Sequence, residues 1–236
     1  MCTVTFVATS TQVIITHNRD EKTIRPAAIE PRNYSINNKN ILFPKDEKAG
    51  GTWFAIAENG TILVLLNGAD EKHLMQPNYR KSRGLIVLDL ISSSSVISAW
   101  KTIDLSNIEP FTIVLFEDTI LQQLRWNGTE KSDTILDNQK PHIWSSSTLY
   151  PTEIRNKREQ WFLDFLKNNL DINPVKMIDF HKNTENENSE NGLIINRNNQ
   201  MKTLSITQSV VENNKLKTKY FDLITKQEFS SDFISI

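Results

Sequence analysis

Apolar residues alternate with threonines through Thr3-Val4-Thr5-Phe6-Val7, and a second apolar run, Val13-Ile14-Ile15, begins just after a polar Thr-Ser-Thr-Gln stretch at residues 9–12. A period of two on either side of a short polar connection predicts a β-hairpin. The second strand ends in a charged cluster, His17-Asn18-Arg19-Asp20-Glu21. A tight hairpin returns that end to where the first strand began, so Arg19 and Asp20 are expected beside Cys2. Residues 23–42, broken by Arg25-Pro26 and Glu30-Pro31, read as an extended loop. Arg25 there suits an anion contact or a plain surface charge.

Further hairpins follow. Thr52–Ala57 and Thr61–Leu66 flank Glu58-Asn59-Gly60, and the return strand is nearly all apolar, as expected of a strand covered on both faces. An apolar helix runs from about Leu85 to Trp100, with Ser82 as its N-cap and the serines at 92–95 weakening or dividing it. Phe111–Phe116 pairs with Thr119–Trp126 across Glu117-Asp118. A short strand at Pro141–Trp144 leads into Ser145-Ser146-Ser147-Thr148, which suits a helix start or an anion contact. Thr152–Leu170 is amphipathic, with Ile154, Trp161, Phe162, Phe165, Leu166 and Leu170 on one face. Asn173-Pro174 is a cap followed by a first-turn proline, and opens a helix carrying Val175, Met177, Ile178 and Phe180. Residues 182–191 are polar and low in complexity and are expected to be a mobile loop. Leu193–Asn196 and Met201–Thr207 flank an Arg-Asn-Asn turn, and a weaker hairpin joins Ser209–Val211 to Lys219–Leu223. Strands outnumber helices and meet through short turns. Two mainly antiparallel sheets stacked face to face, with helices outside, would use every element.

Composition narrows the function classes. The chain has 236 residues, 38% hydrophobic and 23% charged, with 27 basic and 28 acidic side chains. A net charge of −1 makes no electrostatic case for nucleic acid. One cysteine excludes internal disulfides and a cysteine-based zinc site. No apolar run approaches the roughly 20 residues of a membrane span, and the N-terminus lacks the basic and apolar regions of a secretory signal. The chain is therefore expected to be cytoplasmic, to act on or bind a small molecule, and to use no cofactor. No HxH, HExxH or phosphate-binding loop occurs, and no feature of the sequence sets an oligomeric state.

The single cysteine stands directly after the start methionine. Removal of Met1 would leave a thiol and a free α-amine on one residue. The amine has a reference pKa near ~7.7–8.0 and the thiol near ~8.5, so the first can serve as base for the second. Arg19 suits a thiolate partner and Asp20 an orienting partner for the ammonium. Asn67, at the end of an apolar strand, suits an oxyanion donor. Each has a plainer reading: a small buried thiol, a solvated turn, and an Asn-Gly turn.

Three stretches taken together carry a resemblance. They are Met1-Cys2 opening a strand, Asn18-Arg19-Asp20-Glu21 closing its hairpin, and Gly50-Gly51-Thr52-Trp53 followed by Leu66-Asn67-Gly68. This combination resembles the NRDE protein family, named for that tetrapeptide, which includes the eukaryotic transport-and-Golgi-organisation proteins and many bacterial members. The similarity is strongest over residues 1–70 and continues more loosely through Pro141–Trp161 to the final hairpins. That family in turn looks like the N-terminal nucleophile (Ntn) hydrolases of the choloylglycine hydrolase and penicillin V acylase type. The resemblance implies an α+β, four-layer αββα sandwich in one domain over residues 1–236. It implies cleavage of a small linear amide with Cys2 as nucleophile and base, Asp20 positioning the amine, Arg19 stabilising the thiolate and Asn67 donating to the oxyanion. Asn18, Trp53 and Ser146 are assigned to substrate binding; Trp53, like Trp144, suits core packing as well.

The departures from the acylase pattern are specific. The acylase arginine lies three residues before the aspartate, where this chain has His17. Arg19 and Asp20 are adjacent, and adjacent residues of a strand point to opposite faces unless the strand has ended or bulged. A second asparagine of the acylase site falls near Ser146, and a late arginine has no clear counterpart in residues 186–192. The alternative implied by the eukaryotic relatives is a non-catalytic ligand-binding or trafficking protein handling lipid or haem on the same fold. Haem would use Cys2, His17 or His73 as a ligand, with no Cys-Pro or CxxCH motif to support it.

Overall fold

The computed structural model describes residues 2–213 and 215–234, without the side chains of Cys2, Phe233 and Ile234. In chain order the elements are β1 (Cys2–Ala8), β2 (Val13–Lys22), β3 (Ile29–Ile36), β4 (Lys39–Lys45), β5 (Phe54–Ala57), β6 (Ile62–Asn67), α1 (Arg83–Ile91), α2 (Val96–Thr102), β7 (Phe111–Glu117), β8 (Ile120–Trp126), β9 (Lys131–Leu136), β10 (His142–Ser145), α3 (Thr152–Asn168), α4 (Pro174–Asn183), β11 (Asn196–Arg197), β12 (Met201–Glu212), β13 (Lys215–Asp222) and β14 (Glu228–Ile234). They make two compact units. One is built on residues 1–25 and 139–233, the other on residues 26–138.

The second unit is an antiparallel meander, β3-β4-β5-β6-β7-β8-β9, in sequence order. Its central strand β6 is buried from Ile62 to Leu66, as its unbroken apolar run requires. Helix α1 packs against β5 and β6. A Cβ on Gly51 would lie 2.3 Å from the carbonyl carbon of Gly84, so the backbone ahead of β5 and the start of α1 touch. The serine run divides the apolar helix. Ser95 caps α2 by accepting from the Ser98 amide at 3.3 Å, whereas Ser82 occupies the N-cap of α1 without a side-chain bond.

Residues 23–42 are not a loop: much of the stretch forms the β3–β4 hairpin. Asn37 and Asn38 turn it with φ of 50° and 62°, the left-handed pair that a two-residue hairpin connection needs. Pro31 is tolerated because β3 is an edge strand and its register slips between Ile29 and Arg32. The other edge, β9, carries the polar run Lys131-Ser132-Asp133-Thr134, which hid it from a hydrophobic pattern.

The first unit holds the sheet β10-β1-β2-β12-β13-β14, with β11 paired to β12. The β1–β2 hairpin is closed by the Thr9 amide on the Gln12 carbonyl at 2.8 Å. Helices α3 and α4 pack on one face of this sheet. Val7 and Ile14 meet Phe162, Met177, Phe180 and Leu193 there, with Ile143, Phe165, Leu166 and Ile172 at the margin. The Phe180 ring lies 5.3 Å from that of Phe162 and 5.0 Å from that of Phe165. Asn173 caps α4 by accepting from the Val175 and Lys176 amides, both at 3.1 Å. Leu170, placed on the apolar face of the amphipathic helix by the pattern, is instead 98% exposed, and Val175, one of the apolar residues of the next helix, is 78% exposed. Leu170 lies beyond the last turn of α3, and Val175 sits at the solvent side of the first turn of α4.

The low-complexity stretch at 182–191 is not an open loop. Helix α4 runs to Asn183, and a turn follows in which the Asn188 amide donates to Glu185 at 3.0 Å and the Gly192 amide to Asn188 at 2.7 Å. A Cβ on Gly192 would fall 2.1 Å from the Glu185 carbonyl oxygen, so the turn closes only around glycine. Among the described residues no helix is long and apolar enough to cross a membrane.

Candidate active site

The register of β1 on β2 places Cys2 opposite Arg19, Thr3 opposite Asn18 and Val4 opposite His17. Opposed residues share a face of the sheet. Cys2, Val4, His17 and Arg19 therefore lie on one face, and Thr3, Thr5, Asn18 and Asp20 on the other. Asp20 is one step beyond the Cys2–Arg19 pair, level with the backbone end that Met1 removal would expose. Met1 and the Cys2 thiol themselves lie outside the described residues. Arg19 is 4% exposed, and His17 and Asp20 are fully buried. On the other flank of β1, Ser145 pairs with Thr3, so the next residue, Ser146, comes level with Cys2. Ser146 is buried, its hydroxyl 2.9 Å from that of Thr148, and its carbonyl accepts from the Tyr150 amide at 3.0 Å. The four-hydroxyl run is thus a turn that delivers Tyr150.

Strand β2 neither ends nor bulges at Arg19-Asp20; it continues to Lys22. The irregularity is on its partner: Asp20 pairs with Thr203 and Arg19 with Ser205, leaving Leu204 as an extra residue in β12. That bulge sets the Thr203 hydroxyl on the Asp20 side. Thr203 donates to Asp20 Oδ1 and the Tyr150 hydroxyl donates to Asp20 Oδ2, both at 2.7 Å. The Arg158 guanidinium, fully buried on α3, lies 3.5 Å from the centre of the Tyr150 ring. It donates to Thr3 Oγ1, to the Asn191 carbonyl at 3.2 Å and to the Gly192 carbonyl. Burial pushes the Asp20 carboxyl up from its ordinary range, and Arg158, Tyr150 and Thr203 each pull it back. Burial and the Asp20 charge together push the Tyr150 phenol well up.

The same face holds Asn18. Its amide nitrogen donates to the carbonyls of His181 at 3.1 Å and Leu193 at 2.8 Å. Its oxygen therefore accepts from His181 Nδ1–H at 2.7 Å, and His181 Nε2 accepts from the Thr5 hydroxyl at 2.8 Å. Burial, aided by Arg158, pushes His181 down to about 3. Burial also holds His17 well below its usual value, with His181 and Arg19 adding to the effect. Asn18, assigned to substrate binding from the sequence, is tied to α4 and the Leu193 segment on the side away from Arg19.

Asn67 and Trp53 belong to the other unit. Asn67 ends β6 opposite Phe111, half-buried. Gly68 follows with φ of +86°, its amide donating to Pro110 at 2.9 Å. Trp53 is buried ahead of β5, its carbonyl accepting from Leu65 at 2.9 Å. Tyr150, Arg158, Thr203 and His181 escape a motif-based reading. A signal exists for Arg158, which stands four residues after Ile154 and four before Phe162 and so lies on the apolar stripe of α3. Among the described residues no three His, Cys, Asp or Glu side chains gather as a metal site.

The family profile described as Transport and Golgi organisation 2 matches residues 1–234. The chain belongs to this family. We found no match among curated proteins. Among solved structures, the chain is similar to the Caenorhabditis elegans N-acylethanolamine-hydrolyzing acid amidase ortholog. The TM-score is 0.62 at 12% identity, over 88% of this chain and 92% of that one. It is also similar to two variants of the conjugated bile acid hydrolase from Clostridium perfringens. Their TM-scores are 0.53 and 0.54 at 11% and 10% identity, in each case over 98% of this chain and 92% of that one. At such identities the likeness shows the fold: an α+β chain with two antiparallel sheets and helices, in the sandwich class of the Ntn hydrolases.

Proposed function

We propose that this protein is a cysteine amidohydrolase that cleaves a small linear amide through a thioester on Cys2 once Met1 is removed. The observation that carries the reading is the register at the start of β1. Cys2 faces Arg19 across the strand pair, and the buried Asp20 carboxylate stands one step further, level with the amine end. The names of the similar structures, hydrolases of N-acylethanolamines and of conjugated bile acids, support a hydrolytic reading.

In this reading the α-amine takes the thiol proton, and the sulfur attacks the amide carbon. The carbon–nitrogen bond breaks, the leaving amine takes that proton back, and the acyl group stays on sulfur. The freed α-amine then takes a proton from water, whose oxygen attacks the thioester, releasing the acid and restoring the thiol. Arg19 favours the thiolate and Asp20 orients the ammonium. The setting is a reducing, cytoplasmic one, which keeps the only cysteine free.

The test is capture of the acyl-enzyme. The untagged protein is mixed with a panel of linear amides, quenched in acid and digested. The reading predicts an acyl mass on the N-terminal peptide, released by hydroxylamine and absent from Cys2→Ala. Equal turnover by Cys2→Ala, or by a chain keeping tag residues ahead of Cys2, overturns it.

A further inference from the structure

A fully buried carboxylate protonates unless a cation or strong donors hold its charge. The groups around Asp20 narrow the choice of cation. From β12 it meets the neutral Thr203 hydroxyl, and from the turn after β10 the Tyr150 phenol. From α4 comes His181, bonded to Asn18 two residues before Asp20, and burial keeps it neutral. On the opposite face of β2 stand Arg19 and His17, the latter also kept neutral. Arg197 reaches the Tyr150 ring at 5.5 Å but is drawn outward by Glu190, 3.6 Å away, and donates to the Glu190 carbonyl at 2.8 Å. Among the described residues Arg158 is left as the fully buried cation on this side, and its hydrogen bonds go to oxygens of Thr3, Asn191 and Gly192, all neutral. The Arg158 charge therefore has Asp20 as its counter-ion, with the Tyr150 phenol between them.

We infer that Tyr150 and Arg158 are positioning residues for the nucleophile end of the chain. Tyr150 fixes one oxygen of Asp20, and Arg158 keeps Asp20 an anion while its bond to Thr3 anchors the residue next to Cys2. The geometry stands on its own; the purpose rests on the amidohydrolase reading above. A neutral Asp20 would be a donor as well as an acceptor and would no longer favour an ammonium beside it. The turn at residues 185–192 takes part, because it aims the Asn191 and Gly192 carbonyls that orient the guanidinium. Helix α3 is thereby coupled to the reacting end of β1 through one side chain.

The test follows two titrations by NMR in the full-length protein. One is the Asp20 side-chain carboxyl carbon, the other the nitrogen of the N-terminal amine. They are compared in the parent, Tyr150→Phe, Arg158→Met and Arg158→Lys. The inference predicts that Arg158→Met raises the Asp20 midpoint by about one pH unit or more, a tenfold or larger change in its ionised fraction. Tyr150→Phe raises it less, and Arg158→Lys returns it most of the way. The amine midpoint falls wherever the Asp20 midpoint rises, since a nearby anion is what holds it up. A purely structural role for Arg158 would move neither midpoint. If Arg158→Met does not fold, Tyr150→Phe removes one hydroxyl and still decides the matter. An Asp20 midpoint unchanged in the folded variants overturns the inference. Retention of Met1 in the parent counts against the amidohydrolase reading instead, and intact mass separates the two failures.

Discussion

Acidification should destabilise this protein well above the pH at which its carboxylates protonate. His181 is fully buried between Asn18 and Thr5 and is held neutral, its pKa brought from 6.5 down to about 3. The unfolded chain takes up a proton near 6.5, and the folded chain does not until about 3. Stability from this group is thus complete above 6.5 and lost as pH falls between those values. One pKa unit corresponds to about 1.4 kcal/mol, so a drop from pH 7 to pH 5 costs about 2 kcal/mol from His181. His17, also buried and held well below its usual value, adds a loss of the same sign. Asp20 opposes them, because its folded pKa is raised and the folded chain takes up that proton first on acidification. Its contribution is confined to the range below its own folded pKa. Urea unfolding at 25 °C, followed by tryptophan fluorescence at pH 7 and pH 5, measures the difference. His181→Gln should be less stable at pH 7 and should lose about 2 kcal/mol of the pH dependence. A parent midpoint that is flat from pH 7 to pH 5, or a His181→Gln protein with the full pH dependence, would refute the reasoning.

Three other substitutions have defined outcomes. Gly192→Ala forces the 185–192 turn open and should lower stability by about 1–3 kcal/mol in the same urea assay. Phe180→Ala removes the ring between Phe162 and Phe165 and should cost about 3–5 kcal/mol, against a surface Val175→Ala that changes little. Asn173→Ala frees two first-turn amides of α4 and should cost about 1 kcal/mol, with Asn173→Asp or Asn173→Ser retaining most of it.

Much of this architecture was legible because its strands are marked at short range. The β1–β2 hairpin, the β5–β6 hairpin and the division of the apolar helix at Ser92–Ser95 follow from alternation, Asn-Gly turns and serine runs. The β3–β4 hairpin was hidden because its turn is Asn37-Asn38 rather than Asn-Gly, and because Pro31 sits in an edge strand where no ladder bond is lost. The 182–191 stretch is polar by composition, yet its order comes from backbone geometry around Gly192 and from Arg158, a residue far away in sequence.

The candidate site divides in the same way. Cys2, Arg19 and Asp20 are close in a predicted hairpin, a local inference, and the register pairs Cys2 with Arg19, the residue before Asp20. The opposite facing of Arg19 and Asp20 also follows from strand parity. What parity could not reveal is the bulge at Leu204, which turns Thr203 onto Asp20, or the long-range partners Tyr150 and Arg158. Buried polar groups are satisfied by whatever the tertiary fold brings near, and a linear pattern carries little record of that.

The most direct test of the central claim is intact-mass spectrometry of the untagged protein before and after brief exposure to a small thiol-reactive probe near neutral pH. The account predicts a chain lacking Met1, with one rapid adduct located on Cys2 and none on Cys2→Ala. A chain that keeps Met1, with a Cys2 that reacts no faster than a free thiol, would contradict it.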